Sequence, residues 1–179
     1  MPVTTAKYFT TRRAAINAMP DRPPTPATHL PAMNSLTRTL LRAFKSVTRP
    51  ALTEWVTGLS WQDDDILQAL LAGRRINDSF IEEFRDCLTN FSVGAKMYAI
   101  PRYLSYVIRY PDRDATDYLM AELKRLVQDR EFMQRLTREQ IGAIMLGLRF
   151  LAPHIEKFGT RNGYADTEFA LRALQKMHQ

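Results

Sequence analysis

From Asn34 onward, apolar residues recur at intervals of three and four, and no segment alternates apolar and polar residues for long enough to make a strand. This period constrains the fold more than any other feature, because it places the apolar side chains on one face of a helix and scatters them on both faces of a strand. The punctuation agrees with it. Seven of the ten prolines lie at or before position 50, and all seven glycines lie after it. Proline lacks an amide hydrogen and fixes φ, so the stretch from Pro20 to Pro31 holds neither a helix nor a central strand. The expectation is an all-α irregular bundle of six to seven helices over residues 33–179, preceded by a basic, proline-rich, disordered tail over residues 1–32.

The helices are expected as follows. Asn34 or Ser35 caps a first helix with Leu36, Leu40, Leu41, Phe44 and Val47 in one stripe, ended by Pro50. A short helix near Asp64 to Ala72 is capped by Ser60 or Asp63 and closed by Gly73. Ser79-Phe80-Ile81-Glu82 reads as a capping box heading a helix with Phe80, Phe84, Leu88 and Phe91 on one face. The next helix starts near Met97, carries Pro101 in its first turn, buries Ile100, Leu104, Val107 and Ile108, and stops at Pro111. Asp114 to Asp117 opens another, with Leu119, Leu123, Leu126 and Val127 inward. Thr137-Arg138-Glu139-Gln140 is a second capping box, ahead of Ile141, Ile144, Leu148 and Leu151; Pro153 kinks or ends that helix. A loop from Gly159 to Gly163 leads to a last helix capped by Asp166 or Thr167 and ending near Met177.

Charge is unevenly placed. Of 25 basic and 19 acidic residues, the first fifty positions hold eight basic residues (Lys7, Arg12, Arg13, Arg22, Arg38, Arg42, Lys45, Arg49) against Asp21, which leaves 17 basic and 18 acidic in the rest. Any attraction to nucleic acid therefore belongs to the tail and to the first helix, whose Arg38, Arg42, Lys45 and Arg49 are spaced i, i+4, i+7, i+11. The Arg-rich, acid-poor start also resembles an organellar transit peptide; plain disorder, or a true start at Met33, accounts for it more simply. One cysteine, Cys87, excludes an internal disulfide and fits a reducing compartment. With no apolar run near the roughly 20 residues of a membrane span and no secretory h-region, a cytoplasmic protein is expected.

Searches for chemistry return little. Phosphate-loop, dinucleotide, nucleophile-elbow and His-Glu-x-x-His patterns are absent from the sequence. His29, His154 and His178 have no second ligand at helical spacing, so no metal site and no cofactor are expected. Asp63-Asp64-Asp65 and Asp112/Asp114/Asp117 fall where helices begin, where carboxylates cap free amides; as a calcium loop the second set has Asp117 in place of the glycine at its sixth position and Leu123 at its twelfth. Cys87 falls beside an apolar stripe, the place of a structural thiol. No catalytic residue is identified, and an enzyme is not expected.

The segment from Met97 holds Tyr98, Tyr103, Tyr106 and Tyr110, four of the seven tyrosines, with Arg102, Arg109 and Arg113 among them. Tyr98, Arg102, Tyr106 and Arg109 are spaced i, i+4, i+8, i+11 and form one stripe beside the apolar one. Tyr and Arg are enriched at protein-binding hot spots, stack on bases, and also furnish ordinary boundary faces with half-buried rings and wet tips. This stripe is the candidate partner-binding site, with Arg38, Arg42, Lys45 and Arg49 as the alternative basic face.

Residues 60–158 resemble a family of uncharacterised bacterial all-helical proteins. The matching features are Ser60-Trp61 heading a short helix, Phe91, the run Tyr98-Ala99-Ile100-Pro101-Arg102-Tyr103-Leu104, and Phe132 to Gln140 leading into Ala143-Ile144 and Phe150-Leu151. Tyr-x-Leu-Pro-x-Tyr-Leu and Leu-Thr-x-x-Gln are typical of such proteins; Ile100 here replaces the usual Leu. The resemblance implies a helical fold and a bacterial source, and carries no activity. Small helical proteins of this kind look like immunity components paired with toxins, so a non-enzymatic protein-binding module with a cognate toxin as partner is the first expectation. A nucleic-acid-associated protein acting through the tail and first helix is the second.

Overall fold

The computed structural model describes residues 30–56, 61–158 and 160–179, with the side chains of Leu30, Trp61, Gln62, Asp63, Asp64, Phe158 and Arg161 outside the description. Eight α-helices are present among the described residues: α1 (Leu30–Ala43), α2 (Trp61–Leu71), α3 (Asp78–Glu83), α4 (Val93–Arg109), α5 (Ala115–Leu126), α6 (Arg130–Arg135), α7 (Arg138–Phe158) and α8 (Arg161–His178). Short 3-10 turns cover Leu52–Glu54 and Cys87–Asn90. Extended pairing among the described residues is limited to a single bridge between Val56 and Phe91. The protein is an irregular all-α bundle, as the 3.6-residue period requires. Of the expected tail 1–32, residues 1–29 lie outside the description and residues 30–32 belong to α1; the Ser60 and Asp63 caps also fall on residues or side chains outside the description.

Helix α4 runs through the middle. From Ala95 to Ile108 all but Lys96, Tyr98 and Arg102 are buried, and Ala99, Ile100, Tyr103, Leu104, Tyr106, Val107 and Ile108 are fully so. Helices α1, α5 and α7 pack on it, and α8 closes the far side against α5 and α7. Leu148 and Leu151 of α7 are wholly buried beside Ile141 and Ile144, as their spacing predicts. The Thr137 box forms in both directions: the Thr137 amide donates to Gln140 Oε1 at 3.0 Å and the Gln140 amide to Thr137 Oγ1 at 3.2 Å.

Several boundaries differ from the sequence reading, each for a local reason. Helix α1 starts at Leu30, ahead of Asn34, with Pro31 in the first turn where an amide would lack a partner. It ends at Ala43 in a tight turn, with Lys45 N donating to Arg42 O and Val47 N to Phe44 O. Met33, Leu40, Ala43 and Phe44 are its buried side, while Leu41 is exposed. Helix α3 is capped by Asn77, whose side chain accepts from Phe80 N at 3.0 Å. The cap therefore lies two residues before the expected one, Ser79 falls inside the first turn and donates to that same Asn77 oxygen, and the expected Ser79 box does not form; Glu82 accepts from the Tyr106 hydroxyl instead. The predicted long helix is instead α3 followed by the 3-10 turn. Helix α4 begins four residues early, because Ser92 accepts from Ala95 N at 3.2 Å. Pro101 is consequently interior to α4 and not in its first turn, and α7 likewise continues past Pro153 to Phe158. Thr160, accepting from Gly163 N at 2.9 Å, starts α8 well ahead of Asp166 and Thr167. Thr167 is buried, its hydroxyl donating to Gly163 O at 2.7 Å. No helix among the described residues is long and apolar enough to cross a membrane.

Candidate functional site

The Tyr/Arg stripe of α4 divides into two halves with different chemistry. In the second half the side chains are committed to the fold. The Tyr106 ring is fully buried, lies 5.1 Å from the Tyr110 ring, and its hydroxyl donates to Glu82 Oε1 at 3.0 Å. Burial and that carboxylate push the phenol well above its ordinary range. Arg109 grips both oxygens of Asp78 at 2.7 Å each, in the two-pronged geometry that a planar guanidinium favours, and its pKa rises accordingly. Tyr106 therefore belongs to the core, which corrects the expectation that it lies off the packed face.

The first half is open chemically. Tyr98 and Arg102 are half-buried, and the Arg102 guanidinium lies 3.6 Å over the Tyr98 ring while donating to the Tyr98 carbonyl. The Tyr98 ring meets the buried Trp55 ring edge-on at 5.7 Å, and Trp55 meets Phe91 edge-on at 5.3 Å. Arg49, from the loop after α1, lies over Trp55 at 5.8 Å and donates to the carbonyls of Arg74 and Leu70. The result is a ladder in the order Arg49, Trp55, Tyr98, Arg102. Burial lowers the Arg102 pKa and Arg49 lowers it further, so the two cations feel each other. Neither guanidinium has a carboxylate partner among the described residues, whereas Arg74, Arg85 and Arg109 each do. The buried indole nitrogen of Trp55 also has no hydrogen-bond partner among the described residues.

The predicted basic face of the first helix is thereby broken up. Arg38 and Arg42 are exposed on α1, Lys45 is exposed in the turn after it, and Arg49 lies beyond the helix in the ladder. The i, i+11 relation fails because α1 ends at Ala43. Arg38 donates to Asn34 O at 3.2 Å, and none of Arg38, Arg42 and Lys45 forms an ion pair among the described residues.

The remaining candidates are absorbed by structure. Asp112 contacts His154 at 2.6 Å, Asp114 pairs with Arg85 at 3.1 Å, and Asp117 accepts from Thr160 at 3.1 Å. Asp114 is the residue before α5 but makes no capping bond with its side chain, so cross-links between elements replace the predicted capping. Asp65 is exposed, and the rest of its cluster lies outside the described side chains. No group of three potential metal ligands occurs among the described residues. Cys87 is buried, 3.1 Å from the Tyr103 hydroxyl, which donates to Phe84 O at 2.8 Å; burial and the neighbouring thiol raise the Tyr103 pKa strongly.

Two features escaped the sequence reading. Trp55 and Arg49 join the stripe through a loop that carries no periodicity. Glu122, on the inward face of α5 beside Leu119 and Leu123, is buried and paired with Lys96 of α4 at 2.8 Å and with Arg125 at 3.4 Å. Its position within an apolar stripe was the available signal. Comparison with known proteins finds no matching family model, no matching characterised protein and no matching solved structure.

Proposed function

We propose that this chain is a non-enzymatic protein-binding module whose recognition surface is formed by Arg49, Tyr98 and Arg102, with the buried Trp55 ring holding Arg49 and Tyr98 in place from beneath. The form suggested by its sequence resemblance is an immunity-like inhibitor of a bacterial toxin. The observation that carries the reading is the pair of guanidiniums, Arg49 and Arg102, held on adjacent rings without a carboxylate among the described residues, while Arg74, Arg85 and Arg109 have theirs. A guanidinium already ordered on a ring loses little side-chain entropy on binding, and a carboxylate presented by a partner completes it in a charge-assisted geometry. Tyr and Arg anchors in such surroundings dominate many interfaces.

Association with nucleic acid is the second reading, favoured by the exposed and unpaired Arg38, Arg42 and Lys45. Salt separates the two. Three phosphate contacts weaken binding about fortyfold between roughly 50 and 200 mM salt, from the counterion-release slope. An interface built on rings and partly buried hydrogen bonds changes far less. The experiment is co-purification from the native host, followed by measuring the affinity of the captured species at both salt concentrations. A protein partner with a shallow salt dependence supports the module. Capture of nucleic acid with the steep dependence overturns it.

A further inference from the structure

Helices α1, α7 and α8 border an open groove of about 710 Å³ that shares no residue with the ladder. Its floor is apolar, made by Ala43, Ala143 and Met145, and Leu146 stands at the edge with 49 % of its surface exposed. Leu146 continues the apolar lining of the cleft out to its rim. The rim has the opposite character. Arg138 and Arg149 are exposed along the same wall, neither has an ion pair among the described residues, and Glu139 is the one acidic residue in the lining.

We propose that this groove docks an acidic amphipathic helix from a partner protein. Apolar floor and cationic rim together require an occupant with an apolar stripe flanked by carboxylates, the helix-in-groove mode. Arg138 and Arg149 are eleven residues apart on α7, about 16 Å at 1.5 Å per residue. A partner helix of about three turns, with Asp or Glu near each end, spans them. The chain's own residues 1–29 are a poor occupant, because they carry Lys7, Arg12, Arg13 and Arg22 against Asp21 and would set cation against cation. Nucleic acid would satisfy the arginines but leave the floor and Leu146 without an apolar partner.

The test is selection from a phage-displayed library of amphipathic helices about five turns long (about 18 residues) against the full chain. The expected result is recovery of peptides with Asp or Glu flanking an apolar stripe. Their affinity falls at least about tenfold in Arg138→Glu/Arg149→Glu, and it also falls in Leu146→Ala. Both variants change exposed side chains, and circular dichroism verifies the fold. The same peptides bind Arg102→Ala as tightly as wild type, so the outcome is independent of the ladder. Recovery of no peptide, or of neutral or basic peptides, overturns the proposal. So does acidic-peptide binding that is indifferent to the charge reversal, displacement by duplex DNA, or displacement by a peptide of residues 1–29.

Discussion

Replacing Lys96 by Met removes the least exposed of the ion-paired cations among the described residues and leaves its partner behind. The Glu122 side chain is only 4 % exposed and the Lys96 side chain 14 %, with 2.8 Å between them. Arg125 is the remaining cation, at 3.4 Å and 66 % exposed, and Thr89 donates to the second carboxylate oxygen at 3.5 Å. Removing one member of a buried pair costs about 3–5 kcal/mol, because the other charge stays desolvated and uncompensated. Arg125 offsets part of this, so the expected loss for Lys96→Met is near 3 kcal/mol. In the double variant Lys96→Met/Glu122→Leu no charge is stranded and the volume is roughly kept, which brings stability back to within about 1 kcal/mol of wild type or above it. Urea titration of the four proteins, with the m-value checked for constancy, gives the coupling directly. A single variant that loses under 1 kcal/mol, or a double variant no better than the single, would show that water or Arg125 already neutralises Glu122 and that the pair does not fix α4 against α5.

Three further outcomes follow from the packing. Gly142 and Gly147 lie on the same helix, so alanine brings each a similar propensity gain of about 0.5–1 kcal/mol. At Gly142 the added methyl meets only the His178 ring at 3.3 Å, and stability should rise; at Gly147 it meets the buried Leu104 at 2.9 Å, so overpacking of about 1–3 kcal/mol should make that variant the less stable of the two by thermal melt. Both Tyr103 and Tyr106 have pKa values raised above the ordinary 10.0, chiefly by burial. The unfolded chain therefore ionises first; the stability they confer is complete below about pH 10 and is lost as pH rises beyond it, and Tyr106→Phe should flatten the fall of the urea midpoint on the alkaline side. Cys87 should react slowly with a thiol reagent in the native state and quickly in denaturant, whereas fast native labelling would contradict its burial against Tyr103.

The fold was legible wherever the local signal and the tertiary contacts agreed. The Thr137/Gln140 box and the stripe of Ile141, Ile144, Leu148 and Leu151 are one case, since cap and core residues lie on the same helix. Where side chains were recruited from a distance, local grammar misled. Ser79 and Glu82 cannot form a capping box because Asn77, two residues upstream, caps the helix and leaves Ser79 inside its first turn, while Glu82 accepts from Tyr106, 24 residues on. Pro101 looks like a first-turn residue until Ser92 caps the chain further upstream. The candidate site was half readable for the same reason: helical spacing brings Tyr98 and Arg102 together, but says nothing of Asp78 reaching Arg109, or of a loop carrying Arg49 and Trp55 onto Tyr98.

The division of the α4 stripe is tested most directly by measuring partner affinity, by calorimetric titration at fixed salt, for Arg102→Ala and Arg109→Ala side by side. Neither change should cost more than about 1 kcal/mol of stability, since one removes a ring-stacked cation and the other a partly exposed ion pair. Their effects on binding should differ. Arg102→Ala is expected to lose about 2 kcal/mol of affinity or more, roughly thirtyfold, as a central interface arginine does. Arg109→Ala, whose guanidinium is already held by Asp78, is expected to bind within about threefold of wild type. Equal losses, or a loss confined to Arg109→Ala, would contradict the assignment of the recognition surface to Arg49, Tyr98 and Arg102.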